Sequence, residues 1–174
     1  MKKIYITLGI VLVVAGSGAA AFFLTRPSTS SSSKAFTQYD ACKLLTEQKA
    51  KDILGASSVA SDGSTPTSTD DLKVTNCTYN NGVGNFKDIV SASVLVRSPI
   101  SDDGLNSNVQ TFGNPEIIGK QAVEGLGDKA IWNGTTGQLN VLKDDNWIII
   151  THGKAAANSR TLDETKSAAT NILQ

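Results

Sequence analysis

Charge is absent from one long stretch of this chain, and several chemically useful side chains are scarce throughout it. Residues 4–24 (IYITLGIVLVVAGSGAAAFFL) carry no charged side chain; the whole sequence has one histidine, two cysteines, one methionine and four prolines. A lone histidine has no second imidazole for a metal site, and no G-x-S-x-G supplies a nucleophile elbow. The two cysteines, Cys42 and Cys77, are far apart, so they do not form the C-x-x-C of a redox dithiol. Neither lies near residues 4–24, which excludes a lipid-modified N-terminal cysteine as the means of membrane attachment. Excess positive charge is missing as well. Sixteen Lys and Arg balance sixteen Asp and Glu, and beyond residue 34 the count is twelve against sixteen, a formal charge of −4. Nucleic-acid affinity rests on clustered cations, so nucleic acid is not an expected partner.

What is present begins with that uncharged stretch. Twenty-one residues at ~1.5 Å each give a helix of about 30 Å, the thickness of a bilayer's hydrocarbon core. Lys2 and Lys3 precede it and Arg26-Pro27 close it. Ala19-Ala20-Ala21 offer a small-residue cleavage site, but the apolar run continues through Phe22, Phe23 and Leu24, longer than the ~7 to 15 residues of a signal-peptide core. The reading is an uncleaved signal anchor, residues 1–26, giving a single-pass cell-membrane protein with a cytoplasmic N-terminus. The Ser-rich residues 27–35 follow as a flexible linker, and residues 36–174 as one extracytoplasmic domain. A domain of this size can bury a core without metal clusters. In an exported domain the even pair Cys42 and Cys77 reads most simply as a disulfide, two buried free thiols being the alternative.

The domain's pattern predicts an α+β fold, an antiparallel β-sheet of about five strands covered by N- and C-terminal helices. Asp40 caps a first helical piece over residues 41–45 and Thr46 a second over 47–54, with Gly55 as the stop; Leu44, Leu45, Ala50, Ile53 and Leu54 form their buried side. Residues 56–71, rich in Ser, Thr, Asp and Gly, read as a long surface loop. Strands are expected at 74–80, with Thr75, Cys77 and Tyr79 facing inward, and at 89–97. Ile100, Leu105, Val109 and Phe112 fit one side of a short helix that Gly104 weakens. A three-stranded meander covers 129–132, 138–143 and 147–151, and an amphipathic helix covers 162–173.

Candidate chemistry is sparse. His152 is a possible general base without a sequence-assigned partner, and it reads more simply as a strand-end histidine facing solvent. The pairs Asp70-Asp71, Asp102-Asp103 and Asp144-Asp145 lack the spacing of a calcium loop and read as turn and cap residues. Asn76-Cys77-Thr78 and Asn133-Gly134-Thr135 match the N-glycosylation pattern. Tyr79, Trp132 and Trp147, with His152, are the candidate lining of a ligand pocket. No catalytic residue, metal ligand or cofactor-binding residue is assigned, and no cofactor is expected.

Asp40-Ala41-Cys42-Lys43-Leu44-Leu45-Thr46, then Leu54-Gly55, Cys77-Thr78-Tyr79 and Gly125-Leu126-Gly127-Asp128-Lys129-Ala130, followed by the terminal helix, resemble a family of bacterial envelope domains of unknown function, common in actinobacterial lipoproteins. The resemblance covers nearly all of residues 40–173. It implies an extracytoplasmic α+β domain with a disulfide joining the first helix to the first strand, and it carries over no catalytic residue. Because this chain lacks the lipidation cysteine, its anchor is the helix. The resulting expectation is a non-enzymatic binding or accessory module of the cell envelope, acting on a small-molecule ligand, a wall component or another envelope protein. An envelope hydrolase using His152 and a purely structural spacer are the alternatives.

Overall fold

The computed structural model describes residues 34–56, 59–61, 66–82, 85 and 88–174; the expected anchor and most of the linker lie outside these residues. Among the described residues no helix is long and apolar enough to cross a membrane. Two short helices open the domain, α1 (Ala41–Leu44) and α2 (Glu47–Leu54). Asp40 accepts from the amides of Cys42 and Lys43, Thr46 accepts from that of Lys49, and Gly55 stops α2 in the left-handed conformation at φ 60°. Leu45 and Ala50 are fully buried, with Leu44, Ile53 and Leu54 packed against the same core.

An antiparallel sheet follows. Its strands are β1 (Ala60–Ser61), β2 (Thr67–Ser68), β3 (Leu72–Asn80), β4 (Val90–Pro99), β5 (Gln121–Val123), β6 (Lys129–Asn133), β7 (Gln138–Lys143) and β8 (Asn146–Lys154). Seven of them run in the order β1-β3-β4-β8-β7-β6-β5, and β2 also pairs with β3. The α+β class is as expected, but the sheet exceeds five strands by three: β1 and β2 sit in the expected loop of residues 56–71, and the three-residue β5 precedes the expected meander and pairs with β6. Two-residue strands are too short to show a period-2 pattern; they exist because the edge of β3 offers them partners at Tyr79, Asn80, Lys73 and Val74.

The register aligns side chains into rows. Cys77, Val94, Ile150, Leu139, Trp132 and Gln121 are successive cross-strand partners from β3 to β5. All but Gln121 are buried and pack with Leu45, the C-cap of α1, with Ala50 of α2, and with Ala169 and Ile172 of α5 (Leu162–Leu173). At roughly 1.5–3 kcal/mol for each large aliphatic side chain removed from water, this layer is the main source of stability. The opposite side of the sheet is also covered, which the expectation of N- and C-terminal helices alone omits. There α3 (Asp102–Phe112) and α4 (Pro115–Ile118) bring Phe112 and Ile118 onto Trp147, with Ile131, Leu142 and Ile149 around them.

Helix α3 uses a different side from the one its apolar residues suggest. Gly104, Asn108 and Phe112 are buried, while Val109 and Ile100 are 52% and 41% exposed. Asn108 is held by Arg97, donating to its carbonyl at 2.9 Å and accepting from its Nε at 3.2 Å. Gly104 is required rather than weakening, since a Cβ there would lie 2.0 Å from the Asp71 carbonyl oxygen.

Candidate functional site

The disulfide Cys42–Cys77 is formed, with Cα atoms 5.0 Å apart, and ties α1 to β3 as the resemblance implies. Ala41 N–H donates to Thr75 Oγ1 beside it. Upstream, residues 34–39 are fastened to the far end of the meander. Lys34 pairs with Asp145 at 2.7 Å, Asn146 Nδ2 donates to the Thr37 carbonyl, and Tyr39 donates its hydroxyl to Asp144. That bond to Asp144, followed by burial, raises the Tyr39 hydroxyl to about 12. Asp144 and Asp145 occupy positive φ in the β7–β8 turn. Asp102 and Asp103 lie in the first turn of α3, and Asp71 accepts from Ser101 Oγ. Among the described residues no group of three or more His, Cys, Asp or Glu is arranged to hold a metal ion.

The four aromatic and imidazole candidates do not meet in one pocket. Trp147 points to the α3 side of the sheet, with the Arg97 guanidinium 5.0 Å from its ring centroid and its indole N–H donating to Asn140 Oδ1 at 3.1 Å. Tyr79, Trp132 and His152 belong to the opposite side. Tyr79 and His152 share a row with Ala92 between them. Trp132 lies in the neighbouring row, next to Leu139.

His152 is not a strand-end residue, because pairing of Val90 with Lys154 carries β8 past it. It lines a cleft of about 270 Å³ between α2 and α5, shared with Asp52, Ile53, Glu164, Ser167 and Asn171. Its Nδ1 is buried without a hydrogen-bond partner. Burial lowers the imidazole below its ordinary value, and the nearby Glu164 only partly opposes that shift. No hydrogen bond joins His152 to Ser167 or Glu164 among the described residues, so the nucleophile-to-base link of covalent catalysis is not in place.

Trp132 contributes to a larger cleft of about 520 Å³, where α4, the start of β5 and the β6–β7 turn converge. Its walls are fixed to one another. Asn133 is 7% exposed; its Nδ2 donates to the Ile117 carbonyl at 2.9 Å while its Oδ1 accepts from the amides of Thr135 and Thr136. One side chain thus ties α4 to the turn, which leaves the Asn133 amide committed to the fold rather than to glycosylation. Asn140 Nδ2 reaches the Ile118 carbonyl at 3.3 Å. Gly119, at φ 92°, lets α4 approach so closely that a Cβ would sit 2.5 Å from the Trp132 carbonyl oxygen. Trp132 itself is 6% exposed, and its indole nitrogen lies beside Gly134, 3.3 Å from where a Cβ there would stand. Unlike the Trp147 indole, it makes no hydrogen bond among the described residues. It is not among the buried side-chain atoms left without a partner, so this N–H keeps access to solvent.

Ile117, half exposed, stands on the α4 wall, and Glu116, Lys120, Gln121, Thr135 and Thr136 complete the polar lining. Sequence reasoning found Trp132 but missed Asn133 and Gly119. The readable signals were Asn114-Pro115, which caps and starts α4, and the glycine that ends it. No family model, curated protein or solved structure matches this chain. The family resemblance therefore rests on its motif residues alone.

Proposed function

We propose that this chain is a single-pass, membrane-anchored protein of the bacterial cell envelope whose extracytoplasmic domain is a non-catalytic binding or accessory module, with the cleft at Trp132 as its ligand site. The observation that carries the binding role is the cleft of about 520 Å³ beside Trp132, whose walls are locked by Asn133, Asn140 and Gly119. Preorganised concave surface with a few polar groups is the usual form of a ligand site. Export is supported by the Cys42–Cys77 disulfide, because such bonds persist in oxidising compartments, and by the uncharged residues 4–24. A structural spacer has no use for a cleft built this way. The hydrolase alternative draws on His152, Ser167 and Glu164 lining one cleft, and an envelope-degrading activity abolished by His152→Ala would replace the present reading.

A membrane-impermeant amine-acylating reagent tests topology and occupancy together. On intact cells, exposed Lys154 is expected to be labelled, while Lys120 in the cleft is expected to be protected relative to the purified protein. Gly134→Leu, which covers the indole edge, should abolish that protection. Labelling of Lys154 only after lysis would overturn the topology. Equal labelling of Lys120 on cells and in isolation would overturn the occupied cleft.

A further inference from the structure

We propose that the open edge of the sheet, at β5, is a docking surface for a second copy of this chain, the two β5 strands pairing antiparallel about Ala122. The sheet ends there. Among the described residues β5 pairs with β6 alone, and no backbone hydrogen bond reaches its outward side. The opposite edge differs, since β1 and β2 both pair along β3. A bare edge is a row of amide and carbonyl groups that fits another extended strand. Gln121 and Ala122 are exposed, and a groove of about 500 Å³ runs beside the strand with Lys120, Ala122, Glu124 and Ile131 in its wall.

The residues around this edge favour a copy of the chain over another peptide. Residues 119–125 read Gly-Lys-Gln-Ala-Val-Glu-Gly, and both glycines hold positive φ, 92° at Gly119 and 83° at Gly125, which bounds the extended segment on each side. Antiparallel pairing about Ala122 sets Lys120 against the second copy's Glu124, and Glu124 against its Lys120. Ala122 meets Ala122, so no bulk intervenes between the two charge pairs. Opposite charges directly across an antiparallel pair stabilise it, and like charges there destabilise it. Parallel, in-register pairing would set lysine on lysine and glutamate on glutamate. Neither Lys120 nor Glu124 has an ion-pair partner among the described residues, so both are free to make these contacts. A lysine on an edge ordinarily keeps copies apart. Here Glu124 turns that guard into a register mark. The contact is short, and confinement of both copies to one membrane, which rests on the anchored reading, raises their effective concentration.

Cysteine crosslinking in cells producing the full-length protein tests the pairing and its register. Directly opposed residues of an antiparallel pair have Cα atoms about 4.5 or 5.5 Å apart, within the ~4.4–6.8 Å that a disulfide spans. Under mild oxidation Ala122→Cys is therefore expected to form a covalent dimer, and the exposed position of Asp163→Cys on α5 serves as the collision control. Lys120→Cys should not crosslink to itself, its two copies standing about 14 Å apart along the seam, but should crosslink to coproduced Glu124→Cys. Adding Lys120→Glu to Ala122→Cys replaces two attractions with two repulsions and should lower the dimer yield about tenfold. Adding Glu124→Lys as well should restore it. All these positions are exposed, so thermal melts of the purified variants should match wild type. A dimer no more abundant than with Asp163→Cys overturns the proposal, as does a yield indifferent to Lys120→Glu. Attachment of Ala122→Cys to a different protein overturns it too, and marks the edge as a site for a foreign strand. Any of these failures, with Lys154 still labelled on intact cells, removes the pairing and leaves the anchored topology standing.

Discussion

Breaking the link between Cys42 and Cys77 should cost the domain about 4 kcal/mol. The bond closes a loop with a sequence separation of 35 residues. The chain-entropy relation gives roughly 13 cal/mol/K for a loop of that length, ~3.8 kcal/mol at 25 °C. For a domain of this size that corresponds to a fall in Tm on the order of 10 °C. The four-residue helix α1 is also held by the Ala41 amide on Thr75 Oγ1, by the fully buried side chains of Ala41 and its C-cap Leu45, and by the contacts of the preceding Tyr39. Two perturbations separate the crosslink from the packing. Reduction keeps both sulfur atoms and removes only the covalent tie, while Cys42→Ala with Cys77→Ala also deletes the buried Cys77 sulfur, adding about 1 kcal/mol. Urea unfolding followed by tryptophan fluorescence reports on the domain, because both tryptophans lie in the sheet. If oxidised and reduced protein unfold within ~1 kcal/mol of each other, the argument fails; the reduced denatured chain would then be as constrained as the crosslinked one.

Gly119→Ala should destabilise the domain by at least about 2 kcal/mol, since it sets a side chain at φ 92° and drives a Cβ against the Trp132 carbonyl; a urea midpoint close to wild type would contradict that close approach. His152 should make the protein acid-sensitive. Its folded value is depressed, so its stabilising contribution is present above the ordinary imidazole value near 6.5 and is lost as pH falls from there through the folded value. The stability difference between wild type and His152→Phe, measured by thermal melts from pH 8 to pH 5, should shift against wild type on acidification; a constant difference would mean that burial does not oppose protonation. Tyr39 acts at the other end of the scale. Its contribution is full below the unfolded value of 10 and declines as pH rises toward about 12, so Tyr39→Phe should flatten the alkaline limb of the stability profile, and an unchanged limb would count against the Asp144 bond.

Much of the fold was legible because local chemistry and tertiary packing agree. Asp40 and Thr46 cap the helices that their spacing predicts, and in residues 74–80 the expected inward side chains Thr75 and Cys77 are the ones the sheet buries. Legibility failed where a partner decides. β1 and β2 have no pattern of their own and exist by pairing with β3. The buried side of α3 is chosen by Arg97 and by the Asp71 carbonyl, so it runs through Asn108 and Gly104 instead of Val109. The candidate site divides in the same way. Trp132, Trp147, Tyr79 and His152 are conspicuous by type, yet only the register separates them between two sides of a sheet and two clefts. Asn133 looked like part of a glycosylation pattern because a sequence does not reveal that its amide is committed to Ile117, Thr135 and Thr136.

The segment from Lys34 to Tyr39 gives the domain a defined mechanical grip. A pull arriving from the N-terminal side meets Lys34 on Asp145 first, then Thr37 on Asn146 and Tyr39 on Asp144. These contacts gather on one turn between two long strands, and β8 is paired along its length with β4. Load is therefore handed to the middle of the sheet, while the short helix α1 and the edge strands stay slack. A protein tethered at one end and holding a ligand elsewhere would bear tension along its most strongly paired strands.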